Sequence, residues 1–486
     1  MESTAALRAQ IASVDKEILS ARKHLADLET SRDALVAELN RVAVYPVLTL
    51  PPEITSEIFI QCLPVPDEPD DGPVRYTYAD APLLLLRVCT TWAHIARSTP
   101  PLWSTLNLDV EGWEPEHIDG VLATWFSASR GTTLTLHIWA WEEHGGFAAV
   151  MRSLGTHSAR VTTLTLQFSP TTLPLFVSSR FRWEALTELH ISNESIAERD
   201  VDPQTFSTAF DDLLRSSGSL KKLKLHELPL SLVTSRHEQL THFECSDYSL
   251  AQVFEVLKLL PNLLQLDVGP ISDDAAYDSL QHHVIHPHLQ RLEIAFQDCE
   301  NDLLEFLTLP QLNTLAFTPR DDTIISNFLA RSGAALTTLE LTLHHLPHGS
   351  VWFSDLDSPL LNSLLELKLV YLPTRHFVRN FLRWMAEDES LPLLQKLSLA
   401  TAMDMPGFSD IAVKSAAHMS LRNENAAAGE DSELKTQPLR ALHVVFEEAI
   451  PDGMTFGFKE DVLRDYQELK AQGVDVYFGT PEKSLV

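Results

Sequence analysis

Glycine is scarce in this chain, 17 residues of 486, while proline reaches 28. So few glycines argue against phosphate-cradling loops and tight hairpins, and the prolines punctuate many short elements. Cysteine is rarer still. Cys62, Cys89, Cys245 and Cys299 are the four, and none forms a Cys-x-x-Cys pair. A thiolate zinc site is therefore not expected, and the wide spacing fits reduced thiols of an intracellular compartment. Cations are in deficit: 37 Lys and Arg against 67 Asp and Glu, a formal charge of −30. A surface this acidic repels phosphate backbones and anionic lipid, which excludes nucleic-acid and membrane-surface binding as first expectations. Long apolar runs are missing too. Met1-Glu2-Ser3-Thr4 leads straight into charged sequence, and stretches such as Leu83 to Leu86 are far too short to span a bilayer. These absences together predict a soluble protein of the cytoplasm or nucleus.

What is present begins with a heptad seam. Leu7, Ile11, Val14, Ile18, Ala21, Leu25, Leu28, Arg32, Leu35, Leu39 and Val42 follow one another at spacings of four and three without a slip. No Pro or Gly interrupts them, and the intervening positions are largely charged or small. The pattern predicts a coiled-coil helix over residues 1–43. Its seam would serve a homodimer or a partner helix, or fold back on the same molecule. Arg32, the charged member, would set register or carry its head out to water.

Two short helices are predicted next. Leu50-Pro51-Pro52 leads into one, with Ile54, Ile58 and Phe59 on a single face and Leu63 a turn later. Ala81 to Ser98 reads as the second, with Leu85, Val88, Cys89, Trp92, Ile95 and Ala96 on one face. Thr99-Pro100-Pro101 stops it, and Leu102-Trp103 follows. Leu50-Pro51, Ile54, Ile58-Phe59, Val88-Cys89, Trp92 and Leu102-Trp103 together resemble an F-box. The wording Leu-Pro-Pro-Glu-Ile and Ser-Thr-Pro-Pro-Leu-Trp is similar to F-box proteins of mushroom-type fungi, which commonly carry a coiled helix ahead of the box. The resemblance covers about sixty residues, 44–108. The stretch from Pro64 to Asp80 is longer than the usual link between the two helices and is expected to loop out.

The resemblance implies that residues 44–108 bind a Skp-type adaptor and, through it, a cullin and an E2-recruiting RING protein. Leu50, Pro51, Ile54, Ile58 and Phe59 would lie at the adaptor contact. Leu63, Val88, Cys89, Trp92 and Trp103 would form the core of the box. A helical cap burying the same residues internally is the alternative, since burial alone suits both.

From about residue 130 a short pattern recurs, apolar-x-x-apolar-x-apolar. It starts at 186, 220, 240, 263, 289, 312, 336 and 364, intervals of 34, 20, 23, 26, 23, 24 and 28 residues. Copies at 161, 394 and 439 extend the series. Four of these copies, at 220, 336, 364 and 394, have the strict Leu-x-x-Leu-x-Leu form, where accident would supply roughly one or two. Helix-like runs fall between copies, at Thr205 to Arg215, Leu250 to Leu260 and Asp322 to Arg331. The expected fold is α/β: over residues 109–480, an irregular leucine-rich-repeat solenoid with a parallel sheet and outer helices. Leucines at places four and six would fill the core. Polar residues between them would form a face for an unknown substrate protein, with His190, Lys224, Asp267, Glu293, Glu340 and Lys368 as candidates. Residues 401–438 break the rhythm and are expected to be a mobile loop. Lys459 to Ala471 reads as a helix, Gly473 as its stop, and Val474 to Phe478 as a closing strand.

No Walker loop, Rossmann glycine pattern, Gly-x-Ser-x-Gly elbow or His-Glu-x-x-His occurs, and no catalytic group, metal ligand or cofactor is expected. The histidines from His282 to His288 fit no zinc signature and read as a polar turn. The expected function is non-enzymatic: the substrate-recognition adaptor of an SCF-type ubiquitin ligase. The alternative is a scaffold that joins proteins without ubiquitin.

Overall fold

Alternation of leucine with polar residues builds strands, because successive side chains in an extended chain point to opposite faces. A computed structural model describes residues 4–42, 50–64, 79–110, 115–140, 145–168, 176, 181–192, 203–226, 228, 233–246, 248–271, 283–295, 300–319, 323–343, 356–372, 375–387, 390–401, 408–428, 436–446, 460–480 and 483–484. The chain divides into two compact units, one of residues 1–67 and 76–102, the other of residues 68–75 and 103–486.

The first unit is helical. α1 (Thr4–Val42) is the heptad helix, and α2 (Pro52–Gln61) opens with Pro52 in its first turn. The expected single helix from Ala81 to Ser98 is two: α3 (Leu85–Val88) and α4 (Thr90–Arg97). Cys89 between them is fully extended, and its Sγ accepts the Trp92 backbone N–H that opens α4. Val88, Thr90 and Thr91 are β-branched and poor helix formers, so the break costs little there. Phe59 of α2 stands edge-on to Trp92 of α4, ring centres 5.0 Å apart, and Ser56 shares a hydrogen bond with Thr99 at 2.9 Å. The stretch from 65 to 78 lies outside the described residues.

The second unit is a mixed α/β body around a long parallel sheet. Its strands are β1 (Thr105–Asp109), β2 (Leu134–Ala140), β3 (Val161–Phe168), β4 (Glu188–Ser192), β5 (Lys222–His226), β6 (His242–Ser246), β7 (Gln265–Val268), β8 (Val284–Ile285), β9 (Arg291–Ile294), β10 (Leu307–Thr308), β11 (Thr314–Phe317), β12 (Thr338–Thr342), β13 (Glu366–Val370), β14 (Lys396–Thr401), β15 (Ala441–Phe446), β16 (Asp475–Thr480) and β17 (Lys483–Ser484). Fifteen of them form one sheet in chain order, parallel except for the final β16–β17 pair. β8 and β10 leave the series and pair with each other. The sheet thus begins at Thr105, inside the segment expected to belong to the box, and Trp103 lies in this second unit, its indole 4.9 Å from Trp125.

The leucine at place four of every copy lands in one ladder. Leu164, Leu189, Leu223, Phe243, Leu266, Leu292, Leu315, Leu339, Leu367, Leu397 and Leu442 are opposite one another and buried. The leucine at place one sits in the turn before each strand and is buried as well, Leu220, Leu263, Leu289 and Leu336 among them. Between strands run α5 (Pro115–Ala128), α6 (Gly145–His157), α7 (Pro203–Ser216), α8 (Leu250–Leu259), α9 (Glu300–Phe306), α10 (Ile324–Ser332), α11 (Arg375–Glu387), α12 (Phe408–Ala428) and α13 (Glu460–Ala471). Gly333 and Gly473 follow α10 and α13 at φ +64° and +88°, the left-handed turn that ends a helix without a Cβ clash.

The segment expected to be a mobile loop, 401–438, contains α12, a 21-residue helix. Its Ala, Met, Glu and Arg are good helix formers, and Ser415, Met419 and Arg422 are buried at spacings of four and three. Arg422 donates to the carbonyls of Met385 and Ser390 at 3.0 Å and Leu391 at 2.8 Å. Ser415 is hydrogen-bonded to Tyr466 of α13. The histidine cluster is a polar turn only in part, at the exposed Pro287 and His288. Val284 and Ile285 form β8, and His286 is buried with its Nε2–H donated to the Leu260 carbonyl at 2.9 Å.

Candidate interaction surfaces

In the first unit the packing of α2 on α4 consumes Thr55 and Phe59 and leaves the other face of α2 bare. Ile54 is 52% exposed, Ile58 43% and Leu50 37%, with Pro51 exposed beside them. Ile54 and Ile58 are one helical turn apart, so they form a ridge. Phe59, expected at the same contact, is instead 1% exposed and belongs to the core. The helical period places 58 and 59 about 100° apart, and only one of them can face the Trp92 ring. Leu63, Cys89 and Trp92 are half-buried. Val88 is 51% exposed and is not a core residue, because the chain turns away at Cys89 before α4 begins.

In the second unit all six candidate face residues fall in one row across the sheet. Asn107, His137, Thr165, His190, Lys224, Glu244, Asp267, Glu293, Ala316, Glu340, Lys368, Ser398, His443 and Tyr477 are successive cross-strand partners. These are place-five residues, the ones between the two core leucines. The row could be extended from sequence only where the leucine pattern is regular. That is why His137 and Tyr477, which lie outside the copies of the pattern, were not singled out.

The row is largely neutralised from within. Lys224 Nζ lies 2.6 Å from Glu244, Lys368 2.7 Å from Glu340, and Lys396 2.5 Å from Glu366 in the adjoining row. Arg291 reaches Glu293 at 2.8 Å along its own strand. The His226 ring, 3.3 Å from Glu244, and the Lys224 ammonium hold the Glu244 carboxyl down to about 2 despite its burial. Asp267 forms no salt bridge among the described residues, and Arg291 draws its carboxyl down only weakly. Gln265 donates to its Oδ2 at 2.7 Å, its Oδ1 is buried without a hydrogen bond, and burial pushes its pKa up. The His190 and His226 rings lie 4.9 Å apart at a tilt of 58°, and burial lowers both His137 and His190 to about 4. They are neutral imidazoles at physiological pH. Among the described residues no group of His, Cys, Asp and Glu is arranged to hold a metal ion, and no helix is long and apolar enough to cross a membrane.

No family model and no curated protein matches the chain. Among solved structures, a Bacteroides fragilis protein from a structural-genomics programme is similar over 66% of this chain and 74% of its own, at 12% identity and a TM-score of 0.32. A likeness that faint carries no argument about fold or function.

Proposed function

We propose that this protein is a substrate-recognition adaptor of an SCF-type ubiquitin ligase. The observation that supports the reading is the bare ridge of Leu50, Ile54 and Ile58 on a helix whose opposite face is packed. Large apolar side chains left out on a short folded helix cost solubility unless another protein covers them. An apolar groove on a Skp-type adaptor is the cover the resemblance implies. In this reading α2, α3 and α4 form the F-box, and the second unit is a leucine-rich-repeat solenoid. The place-five row is the face that holds the target protein. The chain has no chemistry of its own to perform. Ubiquitin transfer belongs to the recruited E2, and no cofactor is needed.

The test is capture of a purified Skp-type adaptor by the full-length chain. Capture should be lost when Ile54 and Ile58 are both replaced by Glu, because each buried apolar contact becomes a buried charge. A folded chain that binds no adaptor would leave the second reading, a scaffold that joins proteins without ubiquitin.

A further inference from the structure

We propose that α1 is one strand of a parallel, in-register, two-stranded coiled coil whose other strand is a second copy of this chain. The inference does not rest on the ligase reading, since a chain that ignores every adaptor can still pair through α1.

α1 has 39 residues, about 58 Å of helix at 1.5 Å per residue. Its described seam residues are all exposed, from Ile18 at 45% to Leu35 at 69%. Helices α2, α3 and α4 of the same unit therefore leave this seam uncovered. A helix alone in water with that stripe bare is only marginally stable. Apart from Leu19 and Val36, the large apolar residues of α1 keep to alternating three- and four-residue steps. That is the seam of a coiled coil, and a helix lying on a globular core would carry a broader apolar face.

The residues on and beside the seam name the occupant. In heptad terms Ile11, Ile18, Leu25, Arg32 and Leu39 are a positions, and Val14, Ala21, Leu28 and Leu35 are d positions. Ile11 and Ile18 at a are followed by Val14 and Ala21 at d, and Leu28 and Leu35 at d follow Leu25 and Arg32 at a, so the direction of pairing is read from the charges beside the seam. Glu17 and His24 are g positions, and Arg22 and Glu29 are the e positions that follow them. In a parallel pair each g residue meets the next e residue of the other strand. Glu17 then faces Arg22 of the second copy, His24 faces Glu29, and no like charges meet. An antiparallel pair of full overlap sets Arg22 against Arg22 and Asp15 beside Glu29, which repel. The chain is thus complementary to itself in one direction only.

Arg32 sets the register. In register, the two copies of Arg32 share a single layer. Any slip by a heptad puts each against Leu25 or Leu39 and spoils two layers. The guanidinium is already drawn off the seam by Asp33, at 2.7 and 3.1 Å, so its aliphatic stem can cover the seam while the charge stays in water. Two strands leave an a side chain that route outward, whereas a third would close it.

Sedimentation equilibrium of the full-length chain at micromolar concentration should give twice the 54.4 kDa chain mass. Leu25→Asp with Leu28→Asp should return the monomer while the circular dichroism melt of the sheet is unchanged. Glu17→Arg alone, or Arg22→Glu alone, converts two attractions into two repulsions and should weaken the dimer roughly tenfold. The double variant, Glu17→Arg with Arg22→Glu, should recover it. Leu25→Cys should cross-link on mild oxidation beyond the level of the wild-type chain, because only the parallel register brings position 25 against itself. A monomer at every concentration overturns the proposal. So does a dimer that survives Leu25→Asp with Leu28→Asp, a charge swap that fails to recover, or an absent cross-link.

Discussion

The two units treat the same kind of residue in opposite ways. Along the sheet, leucines two apart are buried without exception in the place-four ladder, and the residues between them are polar. On α2, isoleucines four apart are left in water, and the core is made by Phe59 and Thr55 instead. A strand offers its apolar side to every neighbour in the stack, so each repeat is stabilised by the next. A ten-residue helix has one partner, α4, and cannot cover two faces with it. Buried leucine in the sheet is therefore a folding device, and exposed isoleucine on α2 is, in the function proposed above, surface kept for another molecule.

Mutations should separate these two uses. The largest effect on stability is expected in the ladder: Leu339→Ala should cost about 2–5 kcal/mol, read by urea denaturation. Ile54→Ala should change stability by less than about 0.5 kcal/mol, since it removes exposed surface. An equal loss at both sites would erase the contrast. Next is Arg422→Met, which leaves three buried carbonyls without their donor and should cost about 3 kcal/mol.

Acid should act on the sheet and spare the helices. His137 and His190 stay neutral in the folded chain down to about pH 4, while the unfolded chain protonates them near 6.5. The unfolded state then holds more protons between those values, so stability falls as pH drops from 6.5 toward 4. Glu244, held to about 2, loses its stabilising charge only below the ordinary carboxylate range and adds no slope between pH 7 and 5. Unfolding free energies from urea titrations at pH 7 and 5 should differ by on the order of 4 kcal/mol, and His137→Gln with His190→Gln should flatten that difference. A flat wild-type profile would mean the two rings reach water. The smallest effect is Lys368→Met, a half-exposed ion pair whose loss should shift the midpoint by no more than about 1 kcal/mol.

Much of the sheet was legible because leucine spacing maps onto strand geometry without help from distant residues. Helices expected at Thr205 to Arg215, Leu250 to Leu260 and Lys459 to Ala471 appear within two residues of those bounds. The failures share a cause. Cys89 looked like the middle of a helix, Phe59 like a contact residue, and residues 408–428 like loop, because local pattern cannot say what lies opposite. Phe59 is buried by Trp92, 33 residues away, and Arg422 by carbonyls more than thirty residues upstream. The candidate face shows the same division. Its members were readable as place-five residues, but their order in one row and their internal neutralisation come from strand pairing.

The amino-acid order alone carried the heptad seam, the period of the repeat and the inward turn of the leucines. All three are properties of residues within a few steps of each other along the backbone. Three-dimensional packing decided which apolar residues of α2 stay outside, which histidines lose their charge, and that burial pushes the Asp267 carboxyl up. Each of those outcomes depends on groups brought close by folding, and on the water they exclude.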